Sequence, residues 1–490
     1  MFSPSRIRWS KLAIATVLAG CVFSMANCDE PKQSGFLRLH PDNPRYLQWR
    51  DATTLLVTSG EHYGALLNLD FDYIRYFDEL QRHGLNHTRI FSGVYREDPS
   101  AFNITENTLA PDESRYISPW MRSDEIAKNG TAKFDLGRWN PAYFQRLADL
   151  LKQAEQRGIV VEFTLFCPMY NDKMWEISPM NAINNTQGIG RCGREQVYNL
   201  SQHDLTDVQI AVTKKIVEEL RNAGNLYYEV CNEPYFGGVT MDWQTKIINT
   251  IVDTEKDFPR KHLISLNIAN GRKEVNSPHP AVSIFNFHYC VPPDTVAINA
   301  GLNKVIGENE TGFRGSADVL YRTEGWDFML AGGGLYNNLD YSFSCRHPDG
   351  SLGQYKSPGG GSVQLREQLG VMKKFLDGFD LISMRPDTSV IRSTSPKLTH
   401  GVLANPGHEY ALYFHTPISN KPKDLQKELR ARGVAEIEVN LPAASYRFKW
   451  IDPVGGETLL ETTIGHSGGE LQISTPAFEN DIALEVRVLR

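Results

Sequence analysis

From Asp51 to about Gly378, short apolar runs alternate with amphipathic stretches of helical period. The apolar runs predict strands at 54–59, 87–91, 159–166, 226–230, 263–267, 282–288, 304–308 and 335–341. The periodic stretches predict helices at 71–83, 141–157, 206–223, 242–258, 317–330 and 363–378. In the first of these, Tyr73, Ile74, Phe77 and Leu80 recur at helical spacing and Gly84 ends the run. Asn140 followed by Pro141 reads as an N-cap and a first-turn proline. Strands alternating with helices in this way predict a (β/α)8 TIM barrel over residues 36–385. The fifth and sixth helices are poorly defined, which leaves a doubly wound open sheet as the alternative.

Two connections, 92–139 and 167–205, are far longer than a barrel needs. Both leave the C-terminal ends of their strands, where barrel enzymes build their active sites. After Met384-Arg385-Pro386 the period changes to that of short strands, at 410–415, 435–440, 446–451, 458–463, 471–474 and 483–488. Residues 386–490 therefore read as a small all-β sandwich. No low-complexity linker precedes it, so it is expected to pack on the barrel.

Hydrophobic residues make up 41% of the 490 and charged residues 22%, which is ordinary globular usage. The net charge of −7 argues against a nucleic-acid partner, whose phosphates call for a basic surface. Residues 1–26 read as an export segment: Arg6, Arg8 and Lys11 precede a short apolar run. Leu18-Ala19-Gly20-Cys21 resembles a bacterial lipobox, which would anchor the chain by a lipid on Cys21. Cleavage after Ser24-Met25-Ala26 is the alternative and would release a soluble protein, secreted or periplasmic. The apolar stretch 12–26 is shorter than the ~20 residues of a spanning helix. Six cysteines follow Cys21, a number that allows 15 pairings. No Cys-x-x-Cys pair or His/Cys cluster at metal spacing occurs, so neither metal nor cofactor is expected.

The fourth strand runs into Asn232-Glu233-Pro234, and the seventh into Glu308-Asn309-Glu310-Thr311-Gly312. The second ends His87-Thr88-Arg89, and the sixth ends His288-Tyr289. Strands four and seven lie across a barrel from each other, so carboxyls at their top ends can converge. Glu308 and Glu310 share strand parity, and alternation alone does not choose between them. Glu308 would lie deeper, in the packed interior where a charge needs a partner, which favours Glu310.

These motifs resemble those of the clan A retaining glycoside hydrolases, the cellulase-like group related to family 5, over about residues 36–380. The resemblance implies Glu233 as acid/base and Glu310 as nucleophile, with carboxyls ~5–5.5 Å apart. It implies that Arg89 keeps the nucleophile ionised and that Asn232 bonds the sugar 2-hydroxyl. His288 and Tyr289 resemble the family's His/Tyr pair, although the family usually has one residue between them. The family's eighth-strand Trp is also missing, and Tyr336, Tyr341 or Trp326 would supply the stacking surface instead. His62, after the first strand, reads as a polar group lining the sugar site, and Cys231 as a small buried filler. The C-terminal module resembles a β-sandwich found after the barrel in related chains. The function implied is exported retaining hydrolysis of a polysaccharide or oligosaccharide without a cofactor. A transglycosylase, or a non-catalytic carbohydrate-binding or adhesion protein on a degenerate barrel, is the alternative. Binding alone has no need of a carboxylate pair with Arg89.

Overall fold

The computed structural model describes Met1 and residues 35–489; the export segment, with Cys21 and Cys28, lies outside them. The chain enters through a small antiparallel sheet of β1 (Arg38–Leu39), β2 (Leu47–Trp49) and β3 (Ala52–Thr54). Leu47 and Trp49 pack there against Leu56, Val160, Tyr227, Ile284, Val305 and Leu335, residues at the N-terminal ends of the barrel strands. This apolar plug closes the bottom of the barrel and leaves the top for chemistry.

The barrel strands are β4 (Leu56–Gly60), β5 (His87–Phe91), β8 (Val160–Phe166), β9 (Leu226–Cys231), β10 (Leu263–Asn270), β11 (Val282–His288), β12 (Val305–Glu310) and β13 (Leu335–Leu339). The hairpin strands β6 (Trp120–Ile126) and β7 (Ala132–Trp139) interrupt the series in the long loop after β5. The barrel strands run parallel in the order β4-β13-β12-β11-β10-β9-β8-β5. Strand β4 pairs with the last strand, β13, rather than lying inside an open sheet. Between β4 and β5 the Asn86 amide stands in for a ladder. Its Oδ1 accepts from the Val57 N–H at 3.1 Å, and its Nδ2 donates to the Leu55 carbonyl at 2.8 Å.

The helices around the barrel start on good caps. Asp72 accepts from the N–H groups of Ile74 and Arg75 before α1 (Tyr73–Arg82), and Asn140 accepts from Ala142 before α2 (Pro141–Gln156). Helix α3 (Asp172–Glu176) sits in the loop after β8, followed by α4 (His203–Glu219) and α5 (Met241–Thr254). No helix follows β10, where Gly271 and the Pro278 and Pro280 pair break the pattern. After β11 only the short α6 (Asp294–Ile298) forms. Helices α7 (Asp318–Leu330) and α8 (Val363–Leu376) complete the ring.

The C-terminal strands form two facing sheets. One holds six strands: β14 (Arg385–Pro386), β16 (Thr399–Asn405), β17 (Glu409–His415), β19 (Ala444–Ile451), β20 (Thr458–His466) and β22 (Asp481–Val488). The other holds β15 (Ile391–Ser395), β18 (Glu436–Leu441) and β21 (Gly469–Ser474). Val402, Leu412, Phe414, Phe448 and Trp450 share one core with Ile437 and Val439.

The sandwich packs on α7. Tyr413 of β17 stacks on Trp326 with ring centroids 4.7 Å apart and planes 6° from parallel. Arg322 forks onto Asp481 at 2.8 and 2.7 Å, and His415 meets Asp327 at 3.0 Å. Trp326 is therefore an interdomain residue, which corrects the expectation that it reaches the sugar site. Its helix turns that face away from the barrel mouth, where the sandwich supplies an apolar partner.

Candidate active site

The C-terminal ends of the barrel strands surround a cleft of about 590 Å³. Glu233 follows β9 and Glu310 ends β12, so the two approach from opposite walls. One carboxylate oxygen of each, together with a ring nitrogen of His288, lies within 4.8 Å of the others. The two carboxyls are therefore close enough to act on one bound group.

Each carboxylate is fixed by its own set of donors. Glu310 Oε1 accepts from the Tyr289 hydroxyl at 2.6 Å, and Oε2 from Tyr63 and Arg89 at 3.1 Å each. Glu233 Oε2 accepts from Tyr170 at 2.6 Å; Oε1 meets Tyr235 at 3.2 Å and His288 Nδ1 at 3.3 Å. Asn232 joins the two halves, accepting from Arg89 at 2.7 Å and donating to the Tyr170 hydroxyl at 2.8 Å. Tyr63, Glu233, Tyr289 and Phe313 all line the cleft with backbone φ of 35° to 62°, a region L-residues rarely occupy. Such outliers concentrate where packing forces side chains into a functional arrangement.

Burial pushes the Glu233 carboxyl toward its protonated form. The hydrogen bond and charge of His288, with the tyrosine hydroxyls, outweigh burial and hold it below the usual carboxylate range. Beneath the pair the barrel interior is polar. Arg89 bonds Glu229 through Nε at 3.0 Å and again through its terminal nitrogen. Asn309 donates to Glu162 at 3.0 Å and to Glu229 at 2.9 Å. Burial and the charge of Glu229 push Glu162 up to about 8, so Glu162 keeps its proton at neutral pH.

Glu308 does not face this interior, although it shares sequence parity with Glu310. The β11–β12 register shifts between Phe287–Glu308 and His288–Glu310, an extra-residue irregularity that re-aims the strand end. Asn309 takes the interior, Glu310 enters the cleft, and Glu308 turns outward to α7. There it accepts from the Cys290 N–H at 2.5 Å, beside a Glu324 that pairs with Arg314 at 2.9 Å. Burial and the Glu324 charge push the Glu308 carboxyl well above the usual range.

The architecture recurs in solved structures. A proposed glycoside hydrolase from Bacteroides vulgatus superposes with a TM-score of 0.65 at 13% identity, covering 94% of this chain and 83% of that one. A glycoside hydrolase family 5 structure from the same organism gives 0.59 at 13% identity, with 94% of each chain covered. A further glycoside hydrolase gives 0.58 at 14% identity over 93% of this chain and 97% of that one. The barrel and sandwich fold is common to all. No family model matches the chain, and no curated protein matches it by sequence.

The structure brings Arg89, Asn232, Glu233, His288, Tyr289 and Glu310 together, along with His62 and Tyr341, whose rings lie 5.6 Å apart. Tyr336 is excluded from the cleft; its hydroxyl donates to the Tyr321 carbonyl behind the barrel wall. The sequence places Tyr170 and Tyr235 among the aromatics of the top loops, but it did not mark them, or Tyr63, as the three further donors to the carboxylates. It also missed Glu97, and Asn420 and Lys421, which reach the cleft from the sandwich. Glu233, His288 and Glu310 are the one set among the described residues whose atoms converge closely enough to ligate a metal ion. Arg89 and four tyrosine hydroxyls already occupy those carboxylates, and the Arg89 charge opposes a second cation. Cys167, Cys192, Cys231, Cys290 and Cys345 are free thiols, and Cys231 is a buried filler beneath Asn232.

Proposed function

We propose that this chain is an exported retaining O-glycoside hydrolase acting on a polysaccharide or oligosaccharide. The observation that carries the reading is the pair of buried carboxyls, Glu233 and Glu310, held within 4.8 Å at the mouth of the barrel. The fold shared with glycoside hydrolase structures supports it.

In the first step a Glu310 oxygen attacks the anomeric carbon while the bond to the leaving oxygen breaks, and Glu233 gives that oxygen its proton. A glycosyl ester on Glu310 results. In the second step Glu233, now ionised, takes a proton from water, whose oxygen attacks the same carbon and releases Glu310. Arg89, Tyr63 and Tyr289 hold Glu310 in line for attack, and Asn232 is placed to bond the 2-hydroxyl. His288, Tyr170 and Tyr235 hold Glu233 over the leaving oxygen.

A screen of aryl glycosides and polysaccharides tests the reading. Activity is expected in the wild type and not in Glu310→Ala; a wild type inactive on every glycan would favour the carbohydrate-binding alternative. The pH profile is a second check. The kcat/KM reports the free enzyme and needs Glu233 protonated, so it falls as pH rises through the lowered Glu233 pKa. The optimum is therefore expected on the acid side of neutral. Replacing His288 by Asn removes the largest influence lowering that pKa, and the descending limb should move to higher pH. A limb that stays in place would show that Glu233 is not the acid.

A further inference from the structure

The two ends of the cleft differ. The loop after β5 crosses above the end of β4 and is tied to the loop after β13. Thr105 N–H donates to the Lys356 carbonyl and Lys356 N–H to Thr105 Oγ1, both at 2.9 Å. Ser344 donates to Glu106 at 2.7 Å, and Arg346 pairs with the same carboxylate. Lower down, Thr108 donates to Glu61 at 2.7 Å. A Cβ on Gly64 would lie 2.2 Å from the Thr108 carbonyl oxygen, so only glycine permits this contact. These ties wall off the side of the cleft from which Tyr63 and Arg89 reach Glu310. Beside Glu233, on the side without these ties, the rim carries Phe236, 45% exposed, whereas Phe313 follows Glu310 and donates its N–H to the Pro358 carbonyl of the β13 loop at 2.6 Å.

Glu97 and His62 line the walled end. Glu97 Oε2 takes His62 Nε2 at 3.2 Å and Asn107 at 2.6 Å, and Oε1 takes Tyr95 at 3.2 Å. A carboxylate accepts about four hydrogen bonds, so Oε1 keeps an acceptor position. No lysine or arginine pairs with Glu97 among the described residues. The buried His62 Nδ1 has no partner. Burial opposes a charge on His62, but Glu97, with Glu61 and Glu310, outweighs it and raises its pKa.

We infer that the walled end holds a single neutral sugar unit, whose hydroxyls donate to Glu97 and pair with His62, and that the protein cleaves from the non-reducing end. This rests on the glycoside hydrolase reading. The sugar that forms the bond to Glu310 lies on the Glu310 side, and the wall there leaves no path for a second unit. The leaving chain lies on the open Glu233 side. An anionic sugar would set its carboxylate against Glu97, and the nearby base, His62, is already engaged by that carboxylate.

The test uses the wild-type chain and oligosaccharides of an active glycan, fluorescently labelled at the reducing end. The label is expected to shorten by one unit at a time; mid-chain fragments in the first turnovers would overturn the inference while leaving the hydrolase reading intact. Monodeoxy aryl glycosides locate the recognition. The wild type should lose about 10–200-fold in kcat/KM when the hydroxyl facing Glu97 is missing, the range for a hydrogen bond to a charged group. Glu97→Gln should lose most of that discrimination between parent and deoxy substrate. Equal losses on both substrates would mean that Glu97 only supports the loop. Product that forms equally with Glu310→Ala would overturn both readings.

Discussion

Glu310→Ala lowers kcat/KM by about 10⁴–10⁶-fold, the scale seen when the nucleophile of a covalent mechanism is removed. The other donors stay in place, and no second carboxylate can substitute, because Glu308 faces α7. Azide fills the vacated space and attacks from the Glu310 side, giving a glycosyl azide of inverted configuration. Glu233→Ala behaves differently. Glycosides with activated leaving groups need no protonation to depart and still load Glu310. Azide then accelerates release and gives a product of retained configuration. Product analysis by NMR separates the cases. If Glu308→Ala abolishes activity while Glu310→Ala keeps it, the nucleophile assignment is wrong by two residues.

Trp326→Ala destabilises the whole chain by about 3–5 kcal/mol, as expected for removing a fully buried tryptophan. The stacked Tyr413 then faces a cavity, and both the barrel and the sandwich lose a shared wall. Arg322→Ala is expected to cost a similar ~3–5 kcal/mol, because Asp481 stays buried with its cation gone. Equilibrium denaturation of the full chain measures both. Removal of residues 386–490 should lower stability further and strip Asn420 and Lys421 from the cleft rim. A barrel fragment as stable as the full chain would contradict close packing of the two.

The barrel was legible because its strands are uniform apolar runs and its helices carry caps and a clear period. Strand ends at His87, Phe91, Val282 and His288 fall where the pattern puts them. The β6–β7 hairpin was missed because Arg122, Asp124 and Glu125 hide its alternation, although Asn129-Gly130 is a hairpin turn signal. Strands β15 and β16 are rich in Ser, Thr and Gly and show little apolar alternation. At the site, motif residues at strand ends were readable because the barrel fixes where such ends point. Glu308 was not, since a register shift after it, invisible in the sequence, re-aims Glu310 and ends the shared parity of the two. Glu97, Tyr63 and the sandwich residues come from loops and a distant module, where neither period nor motif announces position. Trp326 sits on a helix of weak amphipathicity that is buried on nearly every face, so its direction could not be read.

Trapping the intermediate tests the central claim most directly. A 2-deoxy-2-fluoro glycoside with an activated leaving group, made from the sugar found active in the screen, loads the enzyme faster than the ester hydrolyses. Intact-protein mass spectrometry should show the gain of one fluoroglycosyl unit, and peptide mapping should place it on Glu310. Turnover without any adduct, or an adduct on another residue, would contradict the account.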